Sequence, residues 1–150
     1  MGALQLSSPR LAKTQHKPSN WETLSNYQIP HVVCLDDDRT IGVTVQEYLT
    51  PHGYQVTALQ SPLQALTEMF QLAPDLILCD ITMPKLDGYE FRRLVNHSQQ
   101  LQKIPIVMLT GKDVYLDRLL AQMMGALDYL TKPFEEKELL SLVETYTKER

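Results

Sequence analysis

The sequence predicts an α/β protein built on a doubly wound parallel sheet, and three observations carry that reading. Short apolar runs of strand length alternate with amphipathic segments of helical period from residue 31 to residue 147. The runs HVVCL, DLILC and IPIVML are apolar almost throughout, as strands covered on both faces are. Each of them ends abruptly in a polar or acidic residue, which marks where a buried strand surfaces at a sheet edge.

Taken in order, HVVCL (31–35) is the first strand, and it runs into Asp36, Asp37 and Asp38. Ile41, Val45, Tyr48 and Leu49 then recur at helical intervals, and Pro51 and Gly53 stop that helix. YQVTAL (54–59) alternates like a half-buried strand. Ser61 and Pro62 supply an N-cap and a first helical position, followed by Leu63, Leu66, Met69 and Phe70 as the expected inward face. DLILCD (75–80) is a further strand ending in acid, and the loop ITMPKLDG places Asp87 to cap a helix over 88–97 with Phe91, Leu94 and Val95 inward. IPIVMLT (104–110) is the fourth strand. A helix over 113–124 follows, whose apolar set includes Leu116, Leu119, Leu120 and Met123. DYLTKPF contains the last short strand, and 135–147 forms a closing helix with Leu139, Leu142, Val143 and Tyr146 inward. Five strands alternating with five helices through right-handed crossovers put every strand's carboxyl end on one edge of the sheet.

Composition narrows the function classes. The chain of 150 residues has room for one domain, and its net charge of −4 argues against a nucleic-acid-binding surface spread over the whole molecule. No apolar run approaches the ~18 residues of a membrane span, and the opening MGALQLSSPR has no signal-peptide core. Leu6 also breaks the myristoylation pattern, so a soluble, cytoplasmic domain is expected. Two cysteines are too few for a disulfide scaffold or a zinc site, and Cys34 and Cys79 read as small buried apolar residues.

Charge is unevenly placed. Residues 1–30 hold Arg10, Lys13 and Lys17 against Glu22, a balance of +2. Of the chain's 14 basic and 18 acidic residues, 11 and 17 remain for residues 31–150, a balance of −6. Residues 1–30, rich in Ser, Gln, Asn and Pro, read as a flexible leader or linker ahead of a domain over 31–150. Trp21, Leu24, Tyr27 and Ile29 are either a docking patch or a few apolar residues in an arm.

The polar residues at the strand ends form a coherent set. Asp36, Asp37 and Asp38 follow the first strand, Asp80 ends the third, Thr110 the fourth, and Lys132 follows the fifth. Ligands of open α/β sheets bind outside the carboxyl ends of the strands, near the switch point. Converging carboxylates repel one another by roughly 4 kcal/mol per close pair at an effective dielectric of 20. A hard divalent cation relieves that repulsion, and an all-oxygen set with few protein ligands suits Mg²⁺. With a cation, a free carboxylate, a hydroxyl and an ammonium, such a site can receive a phosphoryl group.

These residues resemble the receiver domain of two-component response regulators. The resemblance runs from about His31 to Tyr146 and rests on LDDD, CDITMPKLDGYEF, VMLTG and GALDYLTKPF, in that order. It implies a flavodoxin-like fold of five βα units with strand order 2-1-3-4-5. It also implies that Asp80 is the phosphoacceptor and that Mg²⁺ is the cofactor. Asp37, Asp80 and the Thr82 backbone carbonyl would ligate the metal, and Asp36 would act mainly through water. Asp38 would add charge. Thr110 would contact the phosphoryl group, Gly111 would leave the site open, and Lys132 would pair with the phosphate ahead of a cis bond to Pro133. Tyr129 matches an aromatic position that follows Thr110 between two rotamers.

The implied partners are a sensor histidine kinase or phosphotransfer protein and a downstream protein effector. The effector would meet the surface made by residues 113–124, the fifth strand and 135–147. Neither direct nucleic-acid binding nor membrane insertion is implied. A phosphorylation-dependent dimer is compatible, and slow self-dephosphorylation replaces enzymatic turnover. The wording from TGKDVYL onward is similar to receivers at the C-terminus of cyanobacterial phototaxis and patterning regulators, and a stand-alone chemotaxis-type regulator is equally compatible. No effector domain is expected after Arg150.

Other readings stay open at this level. Asp36-Asp37-Asp38 also fits a solvated turn with a helix cap, and Asp80 a strand-end acid in a turn. LDDDRT satisfies the D-x-D-x-T pattern of haloacid-dehalogenase-like phosphatases, with Asp36 as nucleophile and Asp38 as general acid. Against it, no acidic cluster follows Thr110 after a buried strand, and the helical period starts directly after Arg39. A receiver-fold interaction module that is never phosphorylated is the remaining alternative.

Overall fold

The computed structural model describes residues 28–81, 88–111, 119 and 127–148. Trp21, Leu24, Tyr27, Thr82, Asp87 and almost all of the expected helix over 113–124 lie outside the described residues.

Five parallel strands form one sheet in the order β2-β1-β3-β4-β5, as the resemblance implies. They are β1 (His31–Leu35), β2 (Gln55–Leu59), β3 (Leu76–Asp80), β4 (Ile106–Thr110) and β5 (Asp128–Thr131). Four helices fall among the described residues: α1 (Arg39–Leu49), α2 (Pro62–Leu72), α3 (Gly88–Asn96) and α4 (Glu136–Thr147). β1, β3 and β4 are buried along their whole length, whereas the edge strand β2 is mostly half-buried. This is the continuous-run versus alternating contrast that the sequence displays.

Strand alternation sorts the core into two layers. Val33, Leu35, Ile77, Cys79 and Met108 face Ala65 and Met69 of α2 and Phe91 and Val95 of α3. Val32, Cys34, Leu76, Leu78, Val107 and Leu109 face Val45 and Leu49 of α1 and Leu139 and Val143 of α4. The two cysteines are free and buried, and they belong to opposite layers, which rules out a bridge between them.

Local chemistry explains the boundaries. The Asp38 carboxylate accepts from the Thr40 N–H at 2.9 Å and caps α1. Beyond Leu49 a single 3₁₀ turn over Thr50–His52 carries Pro51, and Gly53 closes it at φ 92°. Ser61 caps α2 with Pro62 in its first turn. At α4 the Glu138 carboxylate reaches back to the Glu135 N–H at 2.9 Å.

Two expected helix faces are corrected. In α2 the buried residues are Pro62, Ala65 and Met69, while Leu63 is 61% and Phe70 53% exposed. Both sides of α2 carry apolar residues, so periodicity alone leaves the rotation undetermined. In α3, Phe91 and Val95 are fully buried but Leu94 is exposed: it lies about 60° round the helix from Phe91 and about 100° from Val95, at the rim of the stripe that these two centre on the core.

Candidate functional site

The sheet order reverses direction at β1 and β3, so their carboxyl ends flank the switch-point crevice. Leu35 lies opposite Cys79 in the register, and the next residue of each strand is an aspartate: Asp36 and Asp80. Asp36 and Asp80 are buried and Asp37 is exposed, and one carboxylate oxygen from each lies within 4.8 Å of the others. The Lys132 ammonium sits between the two buried carboxylates, 3.0 Å from Asp36 Oδ2 and 3.2 Å from Asp80 Oδ1.

Backbone geometry fixes these groups. The Asp36 N–H donates to the Leu59 carbonyl at 3.0 Å, tying the end of β1 to β2. Asp36 Oδ1 accepts from the Asp38 N–H at 2.8 Å, which aims the other oxygen at Lys132. The Lys132 N–H donates to the Thr110 carbonyl at 2.8 Å, so the lysine continues the β4–β5 ladder by one residue. The Lys132–Pro133 bond is cis.

Electrostatics follow from burial. Burial pushes the Asp36 carboxyl above its ordinary value, and the Asp38 amide and Lys132 offset that only in part. Burial works to lower Lys132, but its hydrogen bond and charge interaction with Asp36, then those with Asp80, win and raise it. The Cys34 thiol is pushed up by burial first and by the Asp36 charge second, so it stays protonated and inert.

Thr110 is fully buried at the end of β4, and its hydroxyl lies 3.4 Å from the Leu130 carbonyl and 3.2 Å from the Thr131 hydroxyl. Met108 pairs with Tyr129 and Thr110 with Thr131, so these four side chains share one sheet face. Tyr129 is half-buried there against the β3–β4 core layer. The space beside Thr110 is open at Gly111, where an added Cβ would meet nothing within 4 Å. Asp38 is exposed and occupied in capping α1, which leaves it without the general-acid geometry a dehalogenase-like site needs.

The structure therefore brings together Asp36, Asp37, Asp80 and Lys132. Thr110 stands at the neighbouring strand end, and Thr82 lies outside the described residues. Two features were not foreseen: the lysine bridging both carboxylates, and Thr131 as the partner of the Thr110 hydroxyl. The register of β4 against β5 would have exposed the second, because equal positions on paired strands share a face.

An all-oxygen donor set of three carboxylates on a rigid sheet edge fits a hard divalent cation and lacks the nitrogen or sulfur ligands of zinc or copper sites. Known proteins agree with the arrangement. The response regulator receiver domain profile matches residues 32–144. The chain is 33% identical over 115 residues to the protein PilG of Pseudomonas aeruginosa, covering 77% of this chain and 85% of PilG. It is 37% identical over 112 residues to the probable transcriptional regulator ycf29 of Pyropia yezoensis, covering 75% of this chain and 50% of that protein, so it spans about half of that relative. Among solved structures, the receiver domain of the Pseudomonas aeruginosa sensor histidine kinase PA1611, described with magnesium coordinated in its active-site cleft, superposes with a TM-score of 0.73. The identity there is 27%, covering 81% of this chain and 99% of that one. The chain belongs to the response regulator receiver domain family.

Proposed function

We propose that this receiver accepts a phosphoryl group on Asp80 in a Mg²⁺-dependent reaction and passes the signal on through a change of surface. The observation that carries the reading is the Asp80 carboxylate, buried at a strand end, 3.2 Å from Lys132 and grouped with Asp36 and Asp37. Buried like charges have no structural benefit of their own, and a site that keeps two of them beside an exposed third is built for a counter-charge that comes and goes.

Asp80 attacks the phosphorus of a phosphohistidine on a kinase or phosphotransfer protein. A carboxylate O–P bond forms, the P–N bond breaks, and its electron pair leaves with the imidazole. Lys132 shifts from the two carboxylates to a phosphoryl oxygen. Thr110 gives up its contacts to Leu130 and Thr131 and turns its hydroxyl towards the phosphoryl group, and Tyr129 on the same face follows it inward. Asp37, Asp80 and the Thr82 carbonyl would hold Mg²⁺ directly, with Asp36 acting mainly through water, and the bound ion would offset the charge of the incoming phosphoryl oxygens. Water then attacks the same phosphorus slowly, releasing phosphate and restoring the Asp80 carboxylate.

The output is a bistable surface of residues 113–124, β5 and α4, biased by the new charge and read by a protein effector or a second phosphorylated copy. Residues 1–30 act as a flexible leader or linker ahead of the domain over 31–150, and the protein works in the cytoplasm. Mg²⁺-dependent uptake of beryllofluoride, followed by ¹⁹F NMR, tests the reading. Saturable binding that disappears in Asp80→Asn is expected. No binding in saturating Mg²⁺ would favour an interaction module that is never phosphorylated.

A further inference from the structure

In the sheet, β4 lies between β3, which carries Asp80, and β5. The Thr110 hydroxyl at the end of β4 can therefore face one neighbour or the other. It faces β5, donating towards Thr131 Oγ1 at 3.2 Å and the Leu130 carbonyl at 3.4 Å. The hydroxyl is thus held away from the strand that bears the phosphoacceptor carboxylate.

Its two partners differ in kind. The Leu130 carbonyl is main chain, which any residue at that position supplies, and the Leu130 side chain belongs to the opposite core layer. The Thr131 hydroxyl exists only because residue 131 is threonine; valine has the same branched shape and strand preference without it. Register brings the two threonines together, because Thr110 and Thr131 are paired across β4 and β5 and stand on one face. Thr110 is fully buried, so its hydroxyl cannot exchange a lost partner for water, whereas Thr131 is half-buried and can. Both distances are long for O–H···O bonds. Each contact is therefore weak, which suits a contact that has to open.

We infer that Thr131 is a positioning residue for the switch: its hydroxyl holds the Thr110 hydroxyl towards β5 at rest, and phosphorylation has to break this contact before Thr110 can turn to the phosphoryl group. This role rests on the phosphoacceptor reading of Asp80 and adds to it the side chain that sets the resting position of Thr110. A contact made in one state and absent from the other biases the equilibrium between them by its whole strength. For a weak buried hydrogen bond that is roughly 2- to 5-fold in an equilibrium constant. Thr131 acts through Thr110 rather than on the phosphoryl group itself.

Beryllofluoride titrations in saturating Mg²⁺, followed by ¹⁹F NMR, compare the parent with Thr131→Val and Thr131→Ser. Thr131→Val should bind roughly 2- to 5-fold more tightly. Thr131→Ser keeps the hydroxyl and should bind as the parent does. Before beryllofluoride is added, three-bond couplings of the Thr110 γ-methyl carbon report its χ1 angle. They should show one rotamer in the parent and in Thr131→Ser, and averaging over two in Thr131→Val. A general loosening of the strand would not single out that side chain and spare the serine variant. Equal binding by all three chains would overturn this role alone, and so would an unchanged Thr110 rotamer in Thr131→Val. Tighter binding shared by Thr131→Ser would assign the effect to the lost methyl group, and weaker binding by Thr131→Val would place the hydroxyl in the active state; either result overturns the role. A parent that fails to bind at all would sink the phosphoacceptor reading, and this role with it.

Discussion

Replacing Lys132 with methionine isolates the electrostatic problem at the centre of the site. The substitution keeps the length and apolar stem of the side chain and removes only the ammonium that lies 3.0 and 3.2 Å from Asp36 and Asp80. Two buried carboxylates then face each other within 4.8 Å without a counter-charge. At an effective dielectric of 20, their repulsion is about 3.5 kcal/mol. The escape route is to protonate one of them, and at pH 7 that costs about 4 kcal/mol for a carboxyl with an ordinary value near 4. Both routes lead to a loss of about 3–4 kcal/mol, which matches the usual cost of breaking a buried pair from one side. Without Mg²⁺ at pH 7, the urea midpoint should fall by about 1–4 M for a typical slope. At pH 4 protonation is nearly free, so the loss should largely vanish. A variant that unfolds with the parent at pH 7, or that loses as much stability at pH 4 as at pH 7, would refute this reasoning.

Three further outcomes follow from the same geometry. Lys132 is raised in the folded state, so its stabilisation is complete below the unfolded value of about 10.4 and is lost as pH rises through the folded one. Urea midpoints of parent and Lys132→Met should therefore converge above about pH 10.4. Gly42→Ala builds a Cβ 2.7 Å from Ala58 Cβ, where α1 meets β2; it should cost about 1–3 kcal/mol in urea unfolding despite alanine's better helix propensity. Asp37 is exposed, so Asp37→Asn should leave metal-free stability within about 0.5 kcal/mol while sharply reducing the rise in melting temperature caused by Mg²⁺.

The sheet was legible because β1, β3 and β4 are short, apolar almost throughout and closed by polar residues, as doubly covered strands are. Asp36, Asp37, Asp80, Thr110 and Lys132 were legible as a set because parallel topology collects strand ends on one edge. Rotations about helix axes were harder to read. Leu63 and Phe70 are as apolar as Ala65 and Met69, and the choice between them depends on the shape of the sheet beneath. Side-chain pairing was also hidden. That Lys132 bridges Asp36 and Asp80, or that Thr110 turns to Thr131, depends on strand register, to which a single sequence gives no direct access. At the amino edge, His31 packs its ring nitrogens against Leu72 and Thr57 and its main-chain N–H against Asp75, which no periodic signal announces.

The central claim is that Asp80, rather than another aspartate of the cluster, takes the phosphoryl group. Incubation with acetyl phosphate and Mg²⁺, reduction of the acyl phosphate with borohydride, and peptide mass spectrometry read this out directly. The account predicts that the reduced residue is Asp80 and that Asp80→Asn shows no modification. Reduction at Asp36, or undiminished labelling of Asp80→Asn, would contradict it.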